Sequence, residues 1–195
     1  MDLKLLSAII VACMLVAAVV PYVLDIFKGK TKPHLYTWLV WTVTGAIGTG
    51  ALIYGGGGYP VYTMALGTAI CGLIFLLSFT YGTRNITLSD TLALIVCAIA
   101  IFIWVGLNNP LWSAILGITI DIVAYWPTIR KTYGEPWSES LSSWILWILT
   151  PAFSVLALDA YNIYTLINYL PIFSVNLVFL ALCLMRRKIV QKPAY

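Results

Sequence analysis

Trp38-Leu39-Val40-Trp41 and Trp144-Ile145-Leu146-Trp147 are one motif met twice, 106 residues apart, each a few residues into a long apolar run. The same offset lays Pro21 on Pro127. Any two W-x-x-W motifs can be aligned, so the proline is the independent check; a second match in fixed register has roughly a one-in-twenty chance at ordinary proline abundance. Each proline leads into a basic, glycine-containing loop, 28–33 and 130–136. Beyond Ala46 and Ala152 the identity fades. A repeat of this length decides architecture before any short motif does.

Around the repeat, the 195 residues are 62% apolar and 9% charged, against roughly 45–50% and 25% in soluble domains. With a mean hydropathy of +0.96, 8 Trp and 12 Tyr, the apolar surface exceeds what one small core buries from water, so a bilayer is the expected solvent. This excludes a secreted disulfide scaffold, a cytosolic enzyme and a disordered tail. Runs of about 20 apolar residues, the length that crosses a hydrocarbon layer of about 30 Å, fall at 3–27, 35–54, 59–81, 88–107, 111–128, 141–158 and 163–185. Lys28-Gly29-Lys30, the glycines at 55–58, Arg84-Asn85, Asn108-Asn109-Pro110 and residues 133–139 punctuate them, with the weakest break at 159–162. The first run is longer than a signal core and no small-residue cleavage site follows it, so it is expected to be a span. Cys13, Cys71, Cys97 and Cys183 lie inside runs, far apart and away from histidine; they read as small core residues, with neither disulfide framework nor metal site.

The basic residues set orientation. Ten of the eleven Lys and Arg fall after runs 1, 3, 5 and 7, and only Lys4 falls on the other side. The positive-inside rule then places the N-terminus outside and the C-terminus, with Lys30, Lys131 and Lys188, in the cytoplasm. The net charge of +4 is therefore a matter of topology, and no nucleic-acid partner is expected. Because three is odd, a second copy of runs 1–3 keeps the orientation of the first only if run 4 intervenes. The expected fold is all-α and integral to the membrane: seven transmembrane helices as two parallel three-helix repeats, 1–86 and 109–195, joined by a linker helix at 87–108.

Seven spans as 3+1+3, an outside N-terminus, Pro21 and Pro127 near the cytoplasmic ends of their spans, a short basic loop after each, and a following helix that opens with aromatics resemble the SWEET and PQ-loop superfamily of transporters. Tyr22 and Thr128 stand where the PQ-loop pattern has Gln after Pro, which marks a divergent, bacterial-type branch. The resemblance implies a plasma-membrane carrier with a central pocket between two bundles, walled in part by the third helix of each triplet. It also implies hinge prolines that let a gate move. The Trp-rich segments are similar as well to bacterial Pnu vitamin carriers, and the same fold serves non-transporting receptors.

Several residues suit such a pocket. Trp41 and Trp147 lie deeper than Trp38 and Trp144, and an indole stacks on a sugar ring or holds a cation while its N–H donates a hydrogen bond. Trp38 and Trp144 suit the wall or an aromatic anchor at the interface equally. Asp121 is the one acid well inside a run, so it is expected to face the interior as a solute or proton site, or to be held structurally by Tyr125 one turn on. The aligned residue is Leu15, so its role breaks the symmetry. In the last run Asn176 offers a mid-membrane amide to a neutral ligand, and Asn168 reads as helix-to-helix glue. Pro21, Pro127, Pro151 and the symmetric Gly45 are the hinge candidates. Residues 45–50 are close-packing glycines and no nucleotide loop, and His34 reads as an interfacial residue. No catalytic set or metal-ligand cluster appears, so the expected activity is transport of a small solute without enzyme chemistry or cofactor, most simply as a facilitator. Monomer and homo-oligomer fit the sequence equally.

Overall fold

The computed structural model describes residues 3–54, 59–106, 110–156 and 163–192. The breaks at 55–58, Asn108-Asn109 and 159–162, and the side chain of Asn168, lie outside the described residues. Among the described residues all regular structure is helical: α1 Leu3–Phe27, α2 Leu35–Tyr54, α3 Tyr59–Tyr81, α4 Leu88–Val105, α5 Pro110–Ala124, α6 Trp126–Gly134, a 3-10 turn Pro136–Ser138, α7 Leu141–Leu156 and α8 Ile163–Ile189. Helices are what an apolar sequence with few internal polar partners must form, because they satisfy every backbone group within the segment. The hydroxyls follow the same logic: Thr42, Thr49, Ser78 and Ser174 donate to the carbonyls of Trp38, Gly45, Ile74 and Leu170, one turn back. The first helix stops where Gly29 turns left-handed at φ 67°. Its N–H bonds Ile26 O at 2.9 Å and that of Lys30 bonds Asp25 O at 2.9 Å, the paired bonds of a glycine-capped C-terminus.

Among the described residues, three helical segments, Lys4–Phe27, Val61–Tyr81 and Leu170–Ile189, are long and apolar enough to cross a membrane, and Leu88–Ile103 and Leu141–Pro151 are shorter apolar helices. Burial is inverted relative to a soluble domain: Phe102, Val178 and Leu76 stand outward, while His34, Asp90, Lys131, Glu139 and Asn176 are buried. Cys13 lies on the outer face rather than in the core, whereas Cys97 and Cys183 are buried.

Two boundaries correct the sequence reading. The fifth run does not end at Thr128: it breaks at Tyr125 and resumes as α6 through Gly134, so Arg130 and Lys131 are helical rather than in a loop. Pro127 in the first turn of α6 has no N–H to continue the ladder. Tyr125 N–H tightens onto Ile122 O at 3.1 Å, and the neighbouring carbonyl of Ala124 takes the Thr37 hydroxyl of α2 at 2.8 Å. The last helix runs to Ile189 rather than Met185, with Arg186, Arg187 and Lys188 in its final turn, where cations suit the helix dipole.

The helices pack in a closed ring. Going round, α1 touches α3, α3 touches α2, α2 touches α5, α5 touches α8, α8 touches α7, and α7 returns to α1. In each triplet the third helix is inserted between the first two, and α4 lies outside the ring against α2, α5 and α6. The α2–α3 seam is close at Gly45, where an added Cβ would lie 2.6 Å from Thr68 Oγ1. Gly45→Ala is expected to cost about 1–3 kcal/mol, and Thr68→Ala in the same chain to recover most of it by removing the obstructing hydroxyl. Melting in detergent checks both; a single mutant as stable as wild type contradicts the contact.

Candidate functional site

Each of the six ring helices contributes to one cavity of about 320 Å³, within the size range of small-molecule sites. Its wall repeats the offset of the sequence motif: Leu15 and Asp121, Trp38 and Trp144, Trp41 and Trp147, Thr44 and Thr150, Gly45 and Pro151, Ile70 and Asn176 are pairs 106 residues apart, and all twelve line it. The offset already aligns the tryptophans, Leu15 with Asp121 and Ile70 with Asn176 in the sequence; that the Thr44/Thr150 pair lines the same space emerges only when the helices are assembled.

An aromatic layer lines part of this space. Trp38 and Trp41 meet edge to face at 5.1 Å and 87°, and Trp144 and Trp147 repeat the arrangement at 5.1 Å and 85°, a favoured geometry for ring pairs. Tyr22 bridges Trp38 and Trp147 at 5.4 and 5.0 Å, and Tyr125 bridges Trp41 and Trp144 at 4.6 and 6.1 Å, so each tyrosine ties one half to the other. Trp38 and Trp144 are 3% and 1% exposed, which excludes a lipid-facing anchor role for them. Trp41 and Trp147 are half-buried, with part of their surface turned to the cavity.

The wall's polar groups are few. Asp121 Oδ1 accepts from Thr44 Oγ1 at 2.9 Å, and its backbone carbonyl accepts from Trp41 Nε1 at 3.2 Å. Tyr125 does not hold Asp121; its hydroxyl donates to Asn176 Oδ1 at 2.6 Å, which leaves the Asn176 amide hydrogens for another acceptor. Of the hinge candidates, Gly45 and Pro151 line the cavity, Pro21 lies within α1 and Pro127 is buried at the start of α6.

Beyond the aromatic layer, toward the basic loops, lies an ionic layer that the sequence reading missed. Arg130 Nε and Nη2 each donate to Asp90 at 2.7 Å, and the Thr87 N–H adds a bond of 2.8 Å. His34 Nε2 stands 3.4 Å from Asp90 Oδ2, with both residues fully buried, so His34, at the loop edge before α2, packs inside the protein against an acid. One residue on, Lys131 pairs with Glu139, both side chains wholly excluded from solvent, and donates to Lys32 O. Glu139 Oε2 also accepts from Trp144 Nε1 at 2.8 Å, and the Tyr22 hydroxyl reaches it at 3.5 Å. The ionic and aromatic layers are thus one connected structure, with α6 clamped to α4, to the loop after α1 and to the loop before α7. Asp90 in the first turn of its helix was the available signal, since an acid is favoured there; its pairing with Arg130, 40 residues on, was not visible in sequence.

Comparison with family models, curated proteins and solved structures gives no match.

Proposed function

We propose that this protein is an integral membrane transporter, with α5 and α6 as one broken span among seven, two parallel three-helix bundles and α4 as the linker. It moves a small polar solute by alternating access through the cavity, as a facilitator in the plasma membrane, with its N-terminus outside and its C-terminus in the cytoplasm. The observation that carries this reading is the cavity wall, built from matched residues of two triplets with the same neighbour order, as expected where two bundles rock about a shared site. The ionic layer supports it further. A carrier must never be open at both ends; the two ion pairs and stacked rings on the basic-loop side are suited to act as a seal there, and the break at Tyr125 separates the cavity wall of α5 from these groups on α6. Opening that side then amounts to swinging α6 on its joint with α5.

Uptake by proteoliposomes is the test. A solute that raises the melting temperature of the purified protein is expected to enter saturably and to show counterflow. Trp147→Ala, which strips an indole from the wall, is expected to slow its uptake about tenfold, or 1.4 kcal/mol. A solute that binds but never crosses the bilayer would return the chain to the receptor reading.

A further inference from the structure

The wall of the cavity carries charge of one sign only. Among its described residues Asp121 is the single ionisable acid, and no Lys, Arg or His accompanies it. The buried carboxylates Asp90 and Glu139 each meet a cation, Arg130 and Lys131. For Asp121 the sole side-chain donor among the described residues is the Thr44 hydroxyl at 2.9 Å. A carboxylate drawn from water without a cationic partner is costly; the two fully buried acids among the described residues each have one, whereas the half-buried Asp121, facing the cavity, does not. The missing partner of Asp121 is therefore sought in the solute.

The neighbouring groups define what kind of cation fits. Trp41 is fixed beside Asp121 by its indole bond to the Asp121 backbone carbonyl, and its ring lies 4.6 Å from that of Tyr125, four residues on at the break between α5 and α6. Electron-rich ring faces beside a carboxylate are the surroundings in which organic ammonium groups are stabilised. A dehydrated divalent cation needs six or more oxygen ligands, and no group of three or more His, Cys, Asp or Glu side chains able to hold one occurs among the described residues. A polyol needs many free donors and acceptors, yet the Thr44 and Thr150 hydroxyls are already committed, to Asp121 and to Leu146 O. An anion meets a like charge. We propose that the transported solute is a compact organic cation, an amine or quaternary ammonium, whose charged head sits between the Asp121 carboxylate and the rings of Trp41 and Tyr125. This rests on the transporter reading for the word transported; the binding site stands without it.

The test uses choline and its uncharged carbon isostere 3,3-dimethylbutan-1-ol, with methylammonium, tetramethylammonium and glucose completing the panel, on the full-length protein in detergent. Melting temperature and tryptophan fluorescence both report occupancy. The cations are expected to bind, and the isostere to bind at least about tenfold more weakly than choline, a loss in the range of a desolvated charge-assisted contact. Asp121→Asn retains an oxygen for Thr44 and is expected to melt as the wild type does while losing at least about tenfold in choline affinity, with Asp121→Glu partly restoring it. Equal binding of choline and its isostere, choline affinity unaffected by Asp121→Asn, or binding of glucose with none of the cations would overturn the proposal. Should Asp121→Asn fail to fold, the wild-type comparison of choline with its isostere decides alone. Asp121-dependent choline binding without uptake removes the transporter reading and leaves this site intact; uptake of glucose that ignores Asp121→Asn does the reverse.

Discussion

Lys131→Met is expected to destabilise the protein by about 3–5 kcal/mol, the cost of leaving a buried carboxylate without its cation. Both members of the pair are wholly excluded from solvent, so water cannot replace the lost ammonium. Glu139 would keep the Trp144 indole at 2.8 Å, which offsets part of the charge but does not neutralise it. Combining Lys131→Met with Glu139→Gln should recover more than half of the loss, because a neutral amide oxygen still accepts from Trp144 and no longer needs a cation. Denaturation midpoints in detergent for wild type, both single mutants and the double mutant give the coupling directly. A Lys131→Met protein within 1 kcal/mol of wild type, by the same scale, would show that the pair is not buried in the membrane-embedded state.

A second large effect concerns pH. Burial lowers the His34 pKa from 6.5 to about 4, with Lys131 and Arg130 acting in the same direction and Asp90 opposing them. In the unfolded chain His34 takes a proton as the pH falls through 6.5, while in the folded protein it stays neutral until about 4. Between those values the unfolded state binds more protons, so stability is complete above pH 6.5 and declines as the pH drops toward 4, by about 3 kcal/mol in all. His34→Gln cannot take up that proton, so its stability should fall less steeply across the same window. Parallel slopes for the two proteins would assign the acid loss to carboxylates instead.

The first three helices were legible to the residue, because their ends are marked by Lys-Gly, Pro and Gly signals at abrupt changes of polarity. The fifth was not. In Trp126–Gly134 the buried residues are Pro127, Thr128, Lys131 and Thr132, so the helix faces the interior with polar groups, and a reading that follows apolar runs ends too early. Pro in its first turn and Gly at its end were the signals that hydropathy overrode. The cavity was partly legible, since Trp41, Trp147, Asp121 and Asn176 could be picked out as chemically costly or repeated residues, and the fold brings all four to one wall. The hydrogen bonds were not: Tyr125 turns from Asp121 to Asn176, 51 residues away, and no local spacing encodes that choice. Arg130 and Lys131 were counted only as markers of sidedness, because a single sequence shows a charge without showing its distant partner.

The twofold likeness of the ring also has a mechanical side. The tryptophan pairs are alike in both halves, but Arg130, Lys131 and Glu139 correspond at the repeat offset to Leu24, Asp25 and Pro33, so the first half has no counterpart to either clamp. A structure with matching walls, whose clamping cations Arg130 and Lys131 both come from the second half, has a latch side and a hinge side. On the transporter reading proposed above, its halves would not share the work of opening equally: α6 and the loop before α7 would let go, while α1 and α2 stayed as the frame against which they swing.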